Sequence, residues 1–208
     1  MLAQLLAQAD AAGDLDWEVS VDSTINRVHQ HGGSLVRDMT QGASANHKEL
    51  LVEPADHAIG RSRGGLSTKI HHICDGRGRP LVMLLGPGQG GDSPMFAHLL
   101  AALGVGRVGP GRPRTRPQRV LADKAYSSRA DRAPLRSRRI TAVIPEPSDL
   151  AGHRKRRGTR GGRPISYDRE ISKRRNIVER SFNTFKNWRG VATRYDKLAR
   201  SPTAQASS

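Results

Sequence analysis

The sequence predicts a mixed α/β domain with five strands in one sheet flanked by helices. Three observations support this: short runs of alternating apolar and polar residues, apolar residues at helical spacing between some of those runs, and clusters of turn residues separating them. The first strand is read from Trp17, Val19 and Val21 alternating with Glu18 and Ser20, and it delivers Asp22 at its end. Before it, Leu2, Leu5, Leu6 and Ala9 share one side of a helix that stops at Gly13. Residues 29–65 are polar and rich in Gly, Ser and His without a sustained period, and read as a loop.

Thr68 to Asp75 and Pro80 to Leu85 read as adjacent antiparallel strands, because DGRGRP between them supplies hairpin residues. After GPGQGGD, Ser93 is suited to cap a helix and Pro94 to be its first residue. Met95, Leu99, Leu100 and Leu103 give that helix its apolar stripe, and Gly104 ends it. Arg119 to Asp123 is the fourth strand and ends in a second aspartate. Residues 128–139 read as a helix that Pro134 shortens or kinks, and Ile140 to Pro145 is the fifth strand. Asp168 to Trp188 reads as one long helix with Ile171, Val178, Phe182 and Phe185 on its apolar face and Glu179 beside that face. The chain has no internal repeat.

The 208 residues fit one ordinary domain with a short appendage. With 36% hydrophobic residues the composition is globular, but three Phe, three Tyr and two Trp leave the interior to Val, Leu, Ile and Ala. Lys and Arg number 35 against 19 acidic residues, a formal net charge of +16 that attracts polyanions and makes nucleic acid the first partner to consider. No apolar run approaches the roughly 20 residues that span a bilayer, and the N-terminus lacks the basic flank of a secretory signal. The expected setting is the cytoplasm, in association with the nucleoid, with no membrane partner. A single cysteine, Cys74, excludes an internal disulfide and a thiolate-rich metal site, and reads as a buried strand residue.

Two basic segments stand out. Residues 107–119 carry five Arg and three Pro with no acid, and residues 153–164 carry six Lys or Arg within a basic loop expected over 150–166. Arg112, Arg114 and Arg116 in the first, and Arg154, Lys155, Arg156 and Arg157 in the second, are the expected phosphate contacts. Neither segment carries a base-reading code. GPGQGGDS has the glycines of a phosphate loop but not the Gly-Lys-Ser/Thr ending that reaches a nucleotide. His29, His31, His71 and His72 lack partners at zinc-ligand spacing, and His71 and His72 alternate across their strand.

Cleavage of a phosphodiester by two metal ions needs hard oxygen ligands that hold the ions about 3.5 to 4 Å apart. Carboxylates on rigid elements meet that need, and Asp22, Asp123 and Glu179 occupy such places. Each also fits a structural role taken alone. Asp22 could cap a turn, Asp123 could pair with Lys124, and Glu179 could pair with Arg175 four residues before it.

The surrounding words separate these readings. WEVSVDST, GRSRGGLSTKIHHICDGRGRPL, GPGQGGDSPMF, RVLADKAYSSRADR and RRNIVERSFNTFKNWRGVATRYDKLA resemble, in order, the blocks of DDE transposases of insertion-sequence family five, over about residues 15–199. The resemblance implies an RNase H-like core and a catalytic, metal-binding triad of Asp22 in VDST, Asp123 in ADKAY and Glu179 in NIVER. It implies two Mg2+ or Mn2+ ions, cleavage and transfer of DNA strands at insertion-sequence ends, and a homodimer or larger assembly on transposon ends and target DNA. Arg175 and Lys186 match the basic members of the motif around the glutamate and are expected at DNA phosphates, while the tyrosine of that motif is Ser172 here.

The resemblance divides the chain into a remnant of an N-terminal helical region or linker over 1–14, a catalytic domain over 15–199 and a disordered tail over 200–208. An upstream-frame DNA-binding protein is an expected partner. The alternatives are an inactive transposase remnant that only binds DNA, and a basic nucleic-acid-binding protein without catalytic ancestry.

Overall fold

A computed structural model describes residues 1–29 and 58–195. Most of the loop expected over 29–65 and all of the tail expected over 200–208 lie outside the described residues. The elements are α1 (Leu2–Ala11), β1 (Glu18–Val28), β2 (Gly60–Ser62), β3 (Gly65–Cys74), β4 (Pro80–Pro87), α2 (Asp92–Ala102), β5 (Arg119–Leu121), α3 (Arg129–Ser137), β6 (Thr141–Val143), α4 (Ser148–Arg156), α5 (Arg169–Lys173), α6 (Asn176–Lys186), α7 (Arg189–Ala192) and β7 (Thr193–Arg194). The strands are hydrogen-bonded in the order β2-β3-β1-β5-β6, with β4 also pairing β3 and β7 also pairing β1. The sheet is mixed: β1, β5 and β6 run parallel, while β2 and β3 are antiparallel.

This is the α/β class with a mixed sheet that the sequence predicts. The five expected strands are β1, β3, β4, β5 and β6. β2 and β7 are additional, and at three and two residues are too short to show an alternation. β1 does not stop at Asp22 but continues to Val28.

The chain folds as two compact units. One comprises residues 1–22, 72–82 and 91–181. Its interior is built from Val19 and Val21 of β1, Ile73 of β3, Phe96 and Leu99 of α2, Val120 and Leu121 of β5, and Leu135 of α3, each at most 1% exposed. α2 packs against α3, and α3 against β6. Cys74 is fully buried here, and burial pushes its thiol up to about 12, so it is an inert strand residue. In α1 the buried residues are Leu6 and Ala7, while Leu2 and Leu5 of the expected stripe are half exposed. Asp10 ties that helix down by accepting from Trp17 Nε1 at 2.7 Å. Gly13 follows at φ +74, where a glycine ends a helix without strain.

The hairpin between β3 and β4 is organised by buried Asp75. Its Oδ1 accepts from the backbone N–H of Arg77 at 3.0 Å and of Arg79 at 2.7 Å, and Gly78 takes φ +85.

Three helix expectations are corrected. α2 begins at Asp92 with Gly91 as its cap, because the Ser93 hydroxyl is drawn to buried Asp131 at 2.7 Å. Residues expected as a basic loop form α4 and a short 3-10 turn at Gly158–Gly161. The Glu146 carboxylate takes both Arg154 Nη2 at 2.7 Å and Arg154 Nε at 3.3 Å, which orders the segment without an external anion. Four basic side chains in the last turn also suit the negative end of the helix dipole. The expected helix 168–188 is two helices, α5 and α6. It starts as expected on Asp168, whose side chain caps Glu170 and Ile171, but across 171–178 the backbone bonds tighten to three-residue spacing.

The second unit comprises the described parts of residues 23–71, 83–90 and 182–208. β2 pairs β3 in the register Gly60↔Ser67 and Ser62↔Gly65, and the end of β1 pairs β7 in parallel. Its interior is partly polar. Arg194 is 7% exposed and donates from Nη1 to the Ala58 carbonyl and Thr68 Oγ1, while Asn26 Nδ2 donates to the Val191 carbonyl.

The Arg154 hydrogen bond holds the Glu146 carboxyl below the usual carboxylate range. A depressed carboxyl contributes stability above its unfolded pKa and loses it as pH falls through the folded value. Order in α4 should therefore persist through mildly acidic pH and fail below the usual carboxylate range, whereas Glu146→Gln should weaken it at every pH, as followed by backbone amide exchange over residues 148–156.

Candidate active site

β5 lies parallel to β1 in the register Glu18↔Arg119, Val19↔Val120 and Ser20↔Leu121. Asp22 and Asp123 each come two residues after the last of these pairs. Asp22 lies within β1, while Asp123 lies just beyond the end of β5, with Ala122 between. Val19, Val21, Val120 and Leu121 are all buried, and because the adjacent Val120 and Leu121 face opposite ways the sheet is covered on both sides here. Asp123 leaves the strand in an extended conformation, φ −79 and ψ 179, and its Oδ1 accepts from the Ala125 N–H at 2.9 Å, capping a 3-10 turn over Lys124–Tyr126.

Glu179 lies in the first turn of α6. Arg175, just before that helix, donates from Nη1 to Asp22 Oδ2 at 2.9 Å and from Nη2 to Glu179 Oε1 at 2.8 Å. One guanidinium thus spans two of the three expected acids. Asp22 and Arg175 are 22% and 24% exposed in their side chains, and Glu179 is 51% exposed, so the Asp22 half of this bridge is the better shielded from solvent screening. The neighbouring Arg174 reaches Glu18 Oε1 at 3.3 Å, and Arg119 reaches Glu18 Oε2 at 2.9 Å.

A further group, Tyr126, ends the 3-10 turn that Asp123 caps, although the sequence did not single it out. Its ring is fully buried and lies 5.4 Å from that of Phe96, and its hydroxyl has no hydrogen-bond partner among the described residues. Burial first, and then the charges of Asp92, Asp22, Asp123 and Asp131, raise its pKa, so the phenol stays protonated and can only donate toward the carboxylates around it. The word ADKAY contained it, but nothing in the alternation shows that a tyrosine after a turn is buried. Asp131 is committed nearby, accepting from Ser93 and Ser128 at 2.7 and 2.6 Å.

Among the described residues no three His, Cys, Asp or Glu side chains stand together so that they could hold a metal ion. Asp22 and Glu179 are joined through Arg175 instead. The donor set nevertheless suits a hard divalent ion. Asp22 and Asp123 offer carboxylate oxygens from β1 and from just beyond β5, and Mg2+ takes one or two such groups together with phosphates and water. The orphaned Tyr126 hydroxyl is the kind of outer donor that holds ligating carboxylates in place. His72, fully buried with its pKa lowered by burial to about 4, stays neutral and inside the fold.

The expected phosphate contacts divide by what they already touch. Arg114 pairs with Asp10 at 3.1 Å and lies 4.3 Å over the Trp17 ring, and Arg116 donates to the Arg139 carbonyl at 3.1 Å. Arg154 is held by Glu146, and Arg156 contacts His153 Nδ1 at 2.7 Å. Arg112, Lys155 and Arg157 are exposed. Lys186 Nζ donates to Thr24 Oγ1 at 2.6 Å. At Ser172, where the motif has a tyrosine, the hydroxyl of Tyr167 arrives from five residues upstream at 2.8 Å.

Residues 14–203 match the family described as Transposase DDE domain. The chain belongs to that family. This transposase domain is 33% identical over 134 residues to a protein of Brucella ovis named as a transposase for insertion sequence element IS6501, covering 64% of this chain and 85% of the relative. It is 30% identical over 139 residues to one of Burkholderia cepacia named for insertion sequence element IS402, covering 67% of this chain and 57% of that relative. The Mos1 mariner paired-end complex with Mn aligns over 92% of this chain and 59% of its own, at 14% identity and a TM-score of 0.35. The Mos1 transposase paired-end complex with left transposon end aligns over 93% and 60%, at 13% identity and a TM-score of 0.33. The transposase domain therefore spans less than two thirds of the second relative and of both solved chains. No helix among its described residues is long and apolar enough to cross a membrane.

Arg175→Met should remove the cation shared by Asp22 and Glu179. In metal-free buffer the expected cost is about 1 to 3 kcal/mol of unfolding free energy, the worth of hydrogen bonds to charged groups. Added Mg2+ should recover part of it, which thermal melts with and without the ion would show.

Proposed function

We propose that this transposase domain cuts and joins DNA strands at insertion-sequence ends, with Asp22, Asp123 and Glu179 as the catalytic residues and the ligands of two divalent ions, Mg2+ or Mn2+. The observation that carries the reading is the arrangement of the acids: Asp22 and Asp123 follow paired positions of parallel strands, and Arg175 links Asp22 to Glu179. When bound, the ions would activate the attacking oxygen and stabilise the leaving one in an in-line displacement at phosphorus.

The chain's own groups have distinct tasks in this reading. Asp22 and Asp123 provide oxygen ligands within and just after paired strands that carry buried apolar residues. Glu179 contributes a third carboxylate from a helix, and its exposure leaves it room to turn inward. Tyr126 offers a buried, unpartnered hydroxyl that a ligating carboxylate could accept from once a metal is bound. Arg175 and Lys186 contact phosphates, for which a guanidinium offers two parallel donors and an ammonium one point charge.

The catalytic domain in this reading is residues 15–199. Joining one DNA to another requires both ends and a target, so the proposal includes a homodimer or larger assembly on DNA, and with it a cytoplasmic, nucleoid-associated setting. An upstream-frame DNA-binding protein belongs to the same proposal. A second reading, a domain that binds DNA without cutting it, is favoured by the occupation of Asp22 and Glu179 by Arg175.

Incubation with labelled transposon-end DNA and Mg2+ or Mn2+ separates the two. Strand nicking that requires the ion and disappears in Asp22→Asn, Asp123→Asn and Glu179→Gln, with DNA binding retained, is the expected result. Equal behaviour of all four proteins would leave binding alone. Tyr126→Phe keeps the ring against Phe96 and removes only the hydroxyl. It should shift the Mn2+ concentration giving half-maximal thermal stabilisation upward by about 10 to 100-fold, the usual effect of losing an outer donor, while melting without metal changes little.

A further inference from the structure

Most of the arginines described above are committed within the fold. Arg77, Arg114, Arg119, Arg154, Arg174 and Arg175 pair with carboxylates, and Arg132 and Arg138 donate to backbone carbonyls. Three others differ. In the unit containing β2, the residues Arg27, Arg61 and Arg63 line a groove of about 640 Å3 with Ser62, Gly88 and Gln89, and among the described residues no carboxylate lines it. Among the described residues none of the three guanidiniums has a hydrogen bond or ion pair, and all three are exposed.

The groove is shaped at the backbone. Gly65 takes φ +100 at the tight turn between β2 and β3, and the turn is closed by Ser62, whose hydroxyl donates to the Gly65 carbonyl at 3.2 Å and accepts from the Gly64 N–H at 3.3 Å. Arg61 lies in β2 and Arg63 in the turn that follows it. A Cβ on Gly64 would stand 3.3 Å from Arg27 Nη2, so the missing side chain leaves room for that guanidinium. A Cβ on Gly88 would meet Ser67, and one on Gly60 would meet the Gln89 amide. The Gly88 N–H is instead bonded to the Ser67 carbonyl at 3.1 Å.

We propose that Arg27, Arg61 and Arg63 form a phosphate-binding groove that grips the backbone of duplex DNA, with residues outside the basic segments 107–119 and 150–166. Guanidinium forks match phosphate oxygens in pairs, and placing several at unpaired acid-free positions keeps their full charge for a polyanion. Ser62 and Gln89 are the other polar side chains of the groove, and contacts to phosphates fix position without themselves reading sequence. The proposal rests on the DNA-cutting reading only in its choice of partner, and it concerns affinity, not strand cleavage.

The test compares two double variants of equal net charge on a short fluorescent duplex. Arg61→Gln/Arg63→Gln removes two groove charges, and Arg129→Gln/Arg136→Gln removes two exposed charges from α3. Each phosphate that is no longer neutralised should lower the slope of log affinity against log salt by about 0.9. The groove variant should therefore show a slope shallower by nearly twice that amount and an affinity weaker by about tenfold or more at physiological salt, with Arg61→Lys/Arg63→Lys restoring much of both. The α3 variant should keep the wild-type slope. Equal effects in the two Gln variants would mean that only the overall field matters and would overturn the groove. Absence of strand nicking by wild type with the groove's slope effect intact would instead overturn the catalytic reading and leave the groove standing.

Discussion

The parallel pairing of β1 with β5 is the constraint on which the candidate site depends. Parallel neighbours cannot be joined by a tight turn, so the chain must leave and return by a long crossover, and Asp22 and Asp123 then each follow a paired position. The pairing holds because both strands are buried: Val19, Val21 and Val120 are wholly inside and Leu121 and Ala122 nearly so. Apolar burial thus sets the position of the polar groups. Any gathering of the acids around a metal would have to overcome their mutual repulsion.

Arg175 answers that repulsion locally. It lies where the backbone tightens between α5 and α6, a place from which Arg174 also reaches Glu18. A long regular helix would carry these two side chains at its own fixed angle of about 100° per residue. The tightened stretch instead aims two successive arginines at two acids of the same strand. Tyr126 adds a buried, protonated hydroxyl whose pKa the charges of Asp92, Asp22, Asp123 and Asp131 help to raise. Asp131 brings a further buried carboxylate, satisfied by the Ser93 and Ser128 hydroxyls.

The parts of this structure legible in the sequence are those with a repeating apolar signal. β1, β3, β4, β5 and β6 each follow from runs that alternate or are uniformly apolar, and the α2 stripe follows from Leu99, Leu100 and Leu103. What escaped depends on single side-chain partners or on strands too short to show a pattern. Glu146 turned a basic stretch into α4, Asp131 took the Ser93 hydroxyl away from its helix end, and the paired residues of β2 and β7 are too few to leave a pattern. For the site, the words around Asp22, Asp123 and Glu179 pointed to the three acids. The shared guanidinium was readable only in part, as the four-residue step from Arg175 to Glu179, because its bond to Asp22 crosses 153 positions of sequence. The groove of Arg27, Arg61 and Arg63 was not legible at all, since nothing local relates residue 27 to residues 61 and 63.

The use of arginine to satisfy carbonyls has a wider effect. Arg79, Arg116, Arg132, Arg138 and Arg194 all donate to main-chain oxygens, so part of the excess charge serves as internal scaffolding in a chain with few aromatics. Those charges still repel one another across a molecule of net charge +16. Dissolved salt then acts with opposite sign on two properties. It relaxes the self-repulsion and favours the compact chain, while it competes with the same guanidiniums for a polyanion. Low ionic strength is where this protein should grip best and hold its own shape least firmly.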